Sequence, residues 1–176
     1  MSPTGGEGES PLGPSPKDET IAYTVTRIAV GDTLVLRQAV LRPHQTIDEV
    51  ALPGDDDPST TAFAAVDAAG GLLSVARVTL EPAPTPIADL IPDRTPEWRL
   101  RGMATHPDAR NRGLGSAVLR AVVAHVADHG GGLLWCNARV PAVGLYRRAG
   151  FTTYGEEWID PDIGPHIVMW RRVAPG

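Results

Sequence analysis

The chain has one cysteine among its 176 residues. No internal disulfide framework can form, and a lone thiol suits a reducing compartment. No apolar run approaches the roughly 20 residues that a bilayer-crossing helix needs. The first residues are acidic, with no hydrophobic region, so no secretory signal is expected and the cytoplasm is the default location. A basic excess is missing too: the formal net charge is −5, which argues against a nucleic-acid partner and is compatible with cationic amine substrates. Several motifs are absent. There is no G-x-x-x-x-G-K-[ST], no G-x-S-x-G and no H-E-x-x-H, since position 126 between His125 and His129 is valine. No metal site is expected.

What remains is the composition of an ordinary globular protein, long enough for one domain and a single core. Residues 1–18 are rich in Gly, Pro, Ser and Glu. Such a composition cannot bury enough apolar surface to offset its ordering entropy, so it predicts a mobile tail, or an arm lying on a partner. Residues 19–176 are expected to form the domain. Ile21 to Val30 alternates as a strand, and Thr33 to Leu41 reads as a short helix stopped before Pro43. The polar stretch from Arg42 to Thr60 carries Asp55, Asp56 and Asp57. This run is either a solvated loop or a lure for a cationic substrate. Thr61 to Val66 and Leu72 to Leu80 form a hairpin about Asp67–Gly71. Five prolines between Glu81 and Pro96 predict a surface connection, and Glu97 to Thr105 returns as a strand. From Gly113 to His129, apolar residues recur at three- and four-residue spacing, giving a helix with one buried stripe. A buried strand over Leu133–Cys136 follows, then a helix over Val140–Ala149. Phe151–Glu157 and His166–Val173 complete the order β-α-β-β-β-α-β-α-β-β.

The most informative stretch runs from Met103 to Gly115. Strand, polar turn and helix start meet there, with Arg110, Arg112, Gly113 and Gly115 at the junction. Glycine lets a backbone approach a ligand closely, and free amides at a helix N-terminus attract anions. Arginines add charge-assisted contacts to phosphate. Position 118 is valine, so the G-x-G-x-x-G dinucleotide fingerprint fails. A loop that cradles a diphosphate is predicted, against the alternative that the glycines only ease a turn.

Arg110-Asn111-Arg112-Gly113-Leu114-Gly115 resembles the [RQ]-x-x-G-x-[GA] motif of the GNAT family, the Gcn5-related N-acetyltransferases. Pro107 stands three residues earlier, as is frequent there. Ala142-x-x-Leu145-Tyr146-x-x-x-Gly150-Phe151 is similar to a second family signature. Gly155-Glu156-Glu157 and Gly164-Pro165-His166-Ile167 resemble the ElaA-like branch. The match covers roughly Trp98 to Arg172. It implies an α/β (α+β) fold: a mixed central sheet of about seven strands with helices on both faces. Two splayed parallel strands would form an acyl-CoA cleft. It implies acetyl-CoA as acyl donor, bound by Met103, Ala104, Thr105, Arg110, Asn111, Arg112, Gly113, Leu114, Gly115 and Ser116. The family often has Asn seven residues before the tyrosine. Here that position is Arg139, and Asn137 is the candidate replacement. The acceptor would be an amine, and a homodimer is common among such proteins.

Acetyl transfer needs a held diphosphate, a fixed thioester carbonyl, a deprotonated amine, a stabilised oxyanion and an acid for the departing thiolate. By resemblance an amide within Met103–Thr105 serves the oxyanion, and Tyr146 is the acid candidate, its phenol having an ordinary pKa of about 10. Packing against the cofactor is the alternative role for Tyr146. For the base, Glu156 and Glu157 would point to opposite faces of a strand, so at most one faces the cleft. His166 is a further candidate, since an imidazole can exchange a proton at neutral pH, and ordered water without a dedicated base is a third route. His125 and His129 read as helix-face residues, Trp98 and Trp135 as core or cleft wall, and Cys136 as a buried, inert thiol. Two rival readings stand beside the transferase: a non-catalytic acyl-CoA-binding module on the same fold, and a structural or interaction protein.

Overall fold

The computed structural model describes residues 21–91 and 95–176. The expected tail over residues 1–18 lies outside them. The strands are β1 (Tyr23–Ile28), β2 (Thr61–Asp67), β3 (Leu72–Leu80), β4 (Glu97–Thr105), β5 (Gly132–Arg139), β6 (Thr152–Asp160) and β7 (Gly164–Val173). The α-helices are α1 (Leu34–Leu41), α2 (Ile47–Val50), α3 (Thr85–Ala88), α4 (Leu114–Asp128) and α5 (Val143–Arg148). All seven strands join one sheet in the order β1-β2-β3-β4-β5-β7-β6. Every pairing is antiparallel except β4 with β5. Among the described residues no helix is long and apolar enough to cross a membrane.

Period-two alternation distributes the strand residues over two faces. On one face, Phe63, Ala65, Ala76, Val78, Leu134 and Cys136 join the core beneath α4 and α5. Val118, Val122 and Val126 of α4 are fully buried in it, each contributing about 1.5–3 kcal/mol. On the other face, Ala64, Val75 and Ala104 pack with Leu36 of α1, and Leu133 and Trp135 pack with Ile87 of α3. The helix over Leu114–Asp128 and the β2–β3 hairpin agree with the sequence pattern. The hairpin turn is built by Asp67, whose Oδ1 accepts from the amides of Ala69 and Gly71.

Two irregularities position the site. Val75 pairs with Ala104 and Arg77 with Arg101, so Ala76 alone faces both Gly102 and Met103. This is a β-bulge, which bends β4. It needs glycine at 102: φ is +63°, and an added Cβ would lie 3.1 Å from Arg37 Cδ. Second, β4 pairs with β5 only over Glu97–Arg99 against Leu133–Trp135. Beyond Arg99 the two strands part.

Three expectations are revised. β5 runs on to Arg139 rather than stopping at Cys136. The Arg42–Thr60 stretch holds the single-turn helix α2, started by a capping box between Thr46 and Glu49. The alternation expected at Glu156 and Glu157 fails, because β6 bulges between Tyr154 and Trp158 and leaves both glutamates exposed.

Candidate active site

The parting of β4 from β5 opens a cleft with two cavities. The larger, ≈ 780 Å³, lies over the start of α4. Its walls are β4 from Met103 to Thr105, the loop from Arg110, the first turn of α4 and the α5 segment carrying Gly144, Leu145 and Arg148. Of the residues expected to bind the donor, all but Arg112 and Asn137 line it. Arg112 is half-buried beside it. Asn137 lines the second cavity instead, while Arg139 lines both.

The local backbone explains why this cavity suits a diphosphate. Asn111 has φ 62°, and Gly113, the N-cap of α4, has φ 81° with no side-chain cap. The first amides of α4 therefore have no capping side chain and no intrahelical acceptor. They stand at the positive end of a 15-residue helix. Arg110, Arg139 and Arg148 line the same space, with no Asp or Glu among the lining residues. Gly115 keeps this turn open: a Cβ there would sit in contact with Met103 Cε and Thr105 Oγ1, 3.4 Å from each.

The second cavity, ≈ 260 Å³, lies on the α1 side of the parted strands. Leu41, Met103, Arg139 and Ala142 are common to both cavities, so they meet between β4 and β5. Tyr146 and His166 line the smaller one.

The sequence profile of the acetyltransferase (GNAT) family matches residues 36–151. The chain belongs to that family. It is 33% identical over 149 residues to the uncharacterized N-acetyltransferase YitI of Bacillus subtilis (strain 168), spanning 85% of this chain and 95% of that one. The fold is shared with a histone acetyltransferase HPA2-related protein of Corynebacterium glutamicum: TM-score 0.62, 24% identity, 89% of this chain and 98% of that one. It is shared also with a phosphinothricin acetyltransferase of Sinorhizobium meliloti, solved with acetyl-CoA: TM-score 0.63, 16% identity, 86% of this chain and 89% of that one. As a GNAT member the chain is an acetyltransferase acting on an amine acceptor.

Within this acetyltransferase, Tyr146 is 5% exposed and packs edge-on against Phe151. Burial holds its phenol well above its ordinary pKa, with Cys136 adding to the effect. The phenol thus stays protonated at neutral pH. Cys136 is buried and burial pushes its thiol up as well, the inert state read from the sequence. His166 places Nδ1 2.7 Å from the Gly164 carbonyl. A carbonyl only accepts, so Nδ1 is the donor in this contact. The Trp158 ring stacks on this imidazole at 5.7 Å. Glu156 lines neither cavity. Among the described residues no group of three or more His, Cys, Asp and Glu could hold a metal ion.

Sequence reasoning passed over a set of arginines. Arg37, Arg42, Arg99 and Arg101 line the smaller cavity, and Arg148 the larger. One signal was available: Arg99 and Arg101 are two apart on a strand and so share a face. The aspartate run takes no part in the lining. Asp55 is engaged by Arg37 and Arg77, and Asp57 by Ser59.

Proposed function

We propose that this acetyltransferase binds acetyl-CoA in the larger cavity and transfers its acetyl group directly to an amine held in the smaller one. The observation that carries the reading is the meeting of the two cavities at Met103 and Ala142, where β4 leaves β5. Bound there, acetyl-CoA supplies an activated acyl carbon and a thiolate leaving group. Amides from Asn111 to Ser116 hold its diphosphate, with Arg110 and Arg148 adding charge. β4 from Met103 to Thr105, no longer paired to β5, presents backbone groups to the extended arm. An amide in that bulge donates to the acyl oxygen as negative charge develops.

The amine must reach the acyl carbon with its lone pair free. Nε2 of His166 accepts that proton, directly or through water. Tyr146 donates its own proton to the departing sulfur. Glu156, exposed on the β6 bulge, has no part in this scheme. Asn137 and Arg139 orient the acceptor side. The same reading places the chain in the ElaA-like branch, on its Gly164-Pro165-His166-Ile167 run, and in the cytoplasm, on its single buried thiol. It includes a homodimer and no nucleic-acid partner.

The test is a panel of amines incubated with acetyl-CoA, following free thiol release and product mass. Acetylated product with stoichiometric thiol supports the reading. Tight retention of acetyl-CoA with no product from any amine favours a binding module, and no retention of any CoA species removes the donor site.

A further inference from the structure

The smaller cavity has an unusual charge balance for a site that receives an amine. Five arginines line it, Arg37, Arg42, Arg99, Arg101 and Arg139, against one carboxylate, Asp160. Three of the five are matched. Arg37 gives hydrogen bonds to Asp55, Thr33 and the Val50 carbonyl. Arg99 pairs with Glu81 and lies over the Trp135 ring at 4.4 Å. Arg42 pairs with Asp162 at 3.4 Å.

Arg101 and Arg139 are different. The nearest carboxylate oxygen to Arg101 is Oε2 of Glu81, 3.9 Å away, on a residue already paired with Arg99. Among the described residues the Arg101 side chain makes no hydrogen bond. Arg139 gives one, to the Leu41 carbonyl at 3.0 Å, and has no ion pair there. Arg101 also faces Arg77 directly across the β3–β4 ladder, and like charges opposite one another are destabilising.

Resting on the transferase reading above, we propose that the acceptor is a small amine carrying an oxyanion, carboxylate or phosphate, which Arg101 and Arg139 bind. Arg139 lines both cavities, so an oxyanion on this pair lies beside the place where the acyl group must arrive. Guanidinium matches either oxyanion with paired N–H donors. Such an anion offsets a repulsion that is already present. Burial, then Arg99 and Arg77, push Arg101 down to about 10. Burial and Arg42 likewise lower Arg139. Both remain cationic at neutral pH. The same field disfavours polyamines, whose second ammonium would enter a positive cavity. The proposal runs against one of the two readings of the Asp55–Asp57 run, the lure for a cationic substrate. The cavity volume, ≈ 260 Å³, fits a small molecule.

The experiment uses matched amines: glycine against glycinamide, O-phosphoethanolamine against ethanolamine, and putrescine as the dication. kcat/KM is read from thiol release, and acceptor affinity from calorimetry on the CoA-bound protein. Anionic members should exceed their neutral partners by about tenfold or more, as expected for charge-assisted hydrogen bonds. The glycine and phosphoethanolamine arms separate carboxylate from phosphate. Arg101→Gln should close most of the anionic-to-neutral gap, and Arg101→Lys should restore part of it. Arg139→Gln provides a second variant should the first fold poorly. Equal or better use of neutral amines or putrescine overturns the proposal. So does a uniform loss across the panel in Arg101→Gln, or CoA binding with no anionic amine bound or acetylated. Loss of CoA binding by the native protein overturns the underlying reading instead.

Discussion

Asp55 Oδ2 lies 3.1 Å from Nη1 of Arg37, a residue 1% exposed that lines the smaller cavity. The other oxygen, Oδ1, is 2.7 Å from Nε of Arg77. Asp55 also closes its own loop by accepting from the Leu52 amide at 2.8 Å. One carboxylate thus ties α1, β3 and the segment after α2 into a single wall. Asp55→Asn keeps the size and removes the charge between two buried cations. Breaking a buried pair from one side costs about 3 kcal/mol or more. The urea midpoint should fall accordingly with an unchanged m-value. A midpoint within error of the native one would show that the carboxylate is dispensable.

The contrast between Asp55 and Gly113 explains what could be read in the sequence. The donor loop is contiguous: glycine spacing, the arginines and the helix stripe all lie within one stretch. The strands of the β2–β3 hairpin and the run of α4 were legible for the same reason, because period two and period 3.6 are local signals. The smaller cavity is assembled from α1, β4, β5, α5 and the β6–β7 hairpin. No local pattern says that Arg37 and Arg101 will line one cavity, or that Asp55 will be used up between two arginines. The bulge that exposes Glu156 shifts β6 against β7, and strict alternation carries no sign of it.

Tyr146→Phe deletes one oxygen from a side chain packed against Phe151. General-acid assistance is worth at least about 10²-fold, so kcat should drop by roughly that factor while acetyl-CoA affinity stays unchanged. The phenol is held well above its ordinary pKa. The native kcat should therefore show no falling limb from this group at any pH below about 10. Near-native kcat in the variant would return Tyr146 to a packing role.

Gly115→Val fills the gap between the start of α4 and the β4 bulge. Its Cβ would meet Met103 Cε and Thr105 Oγ1 at 3.4 Å, and Leu145 Cδ2 at 3.7 Å. The extra methyls must then enter the donor cavity or press on its walls, costing about 1–3 kcal/mol. Calorimetric affinity for acetyl-CoA should weaken by roughly tenfold, since 1.4 kcal/mol is one decade. Gly115→Ala should be milder, because the far end of Met103 can turn away. Unchanged affinity in the valine variant would mean that the donor does not approach this turn.

His125 supplies a pH signature for the core beneath α4. Its ring is packed among Phe63, Trp98 and His129, with centroids at 5.6, 5.7 and 4.0 Å. Burial, then His129 and Arg27, push its pKa down to about 4 from an ordinary 6.5. Between those values the unfolded chain binds the proton and the folded one does not. Stability therefore rises with pH across this window. The contribution is complete above about 6.5, declines as pH falls, and is gone below about 4. His125→Phe keeps an aromatic ring at the site and removes the titration. Its melting temperature should decline less than the native one between pH 7 and pH 4, after common carboxylate effects cancel in the difference. Parallel pH curves for the two proteins would mean that His125 takes up its proton in the folded state without penalty.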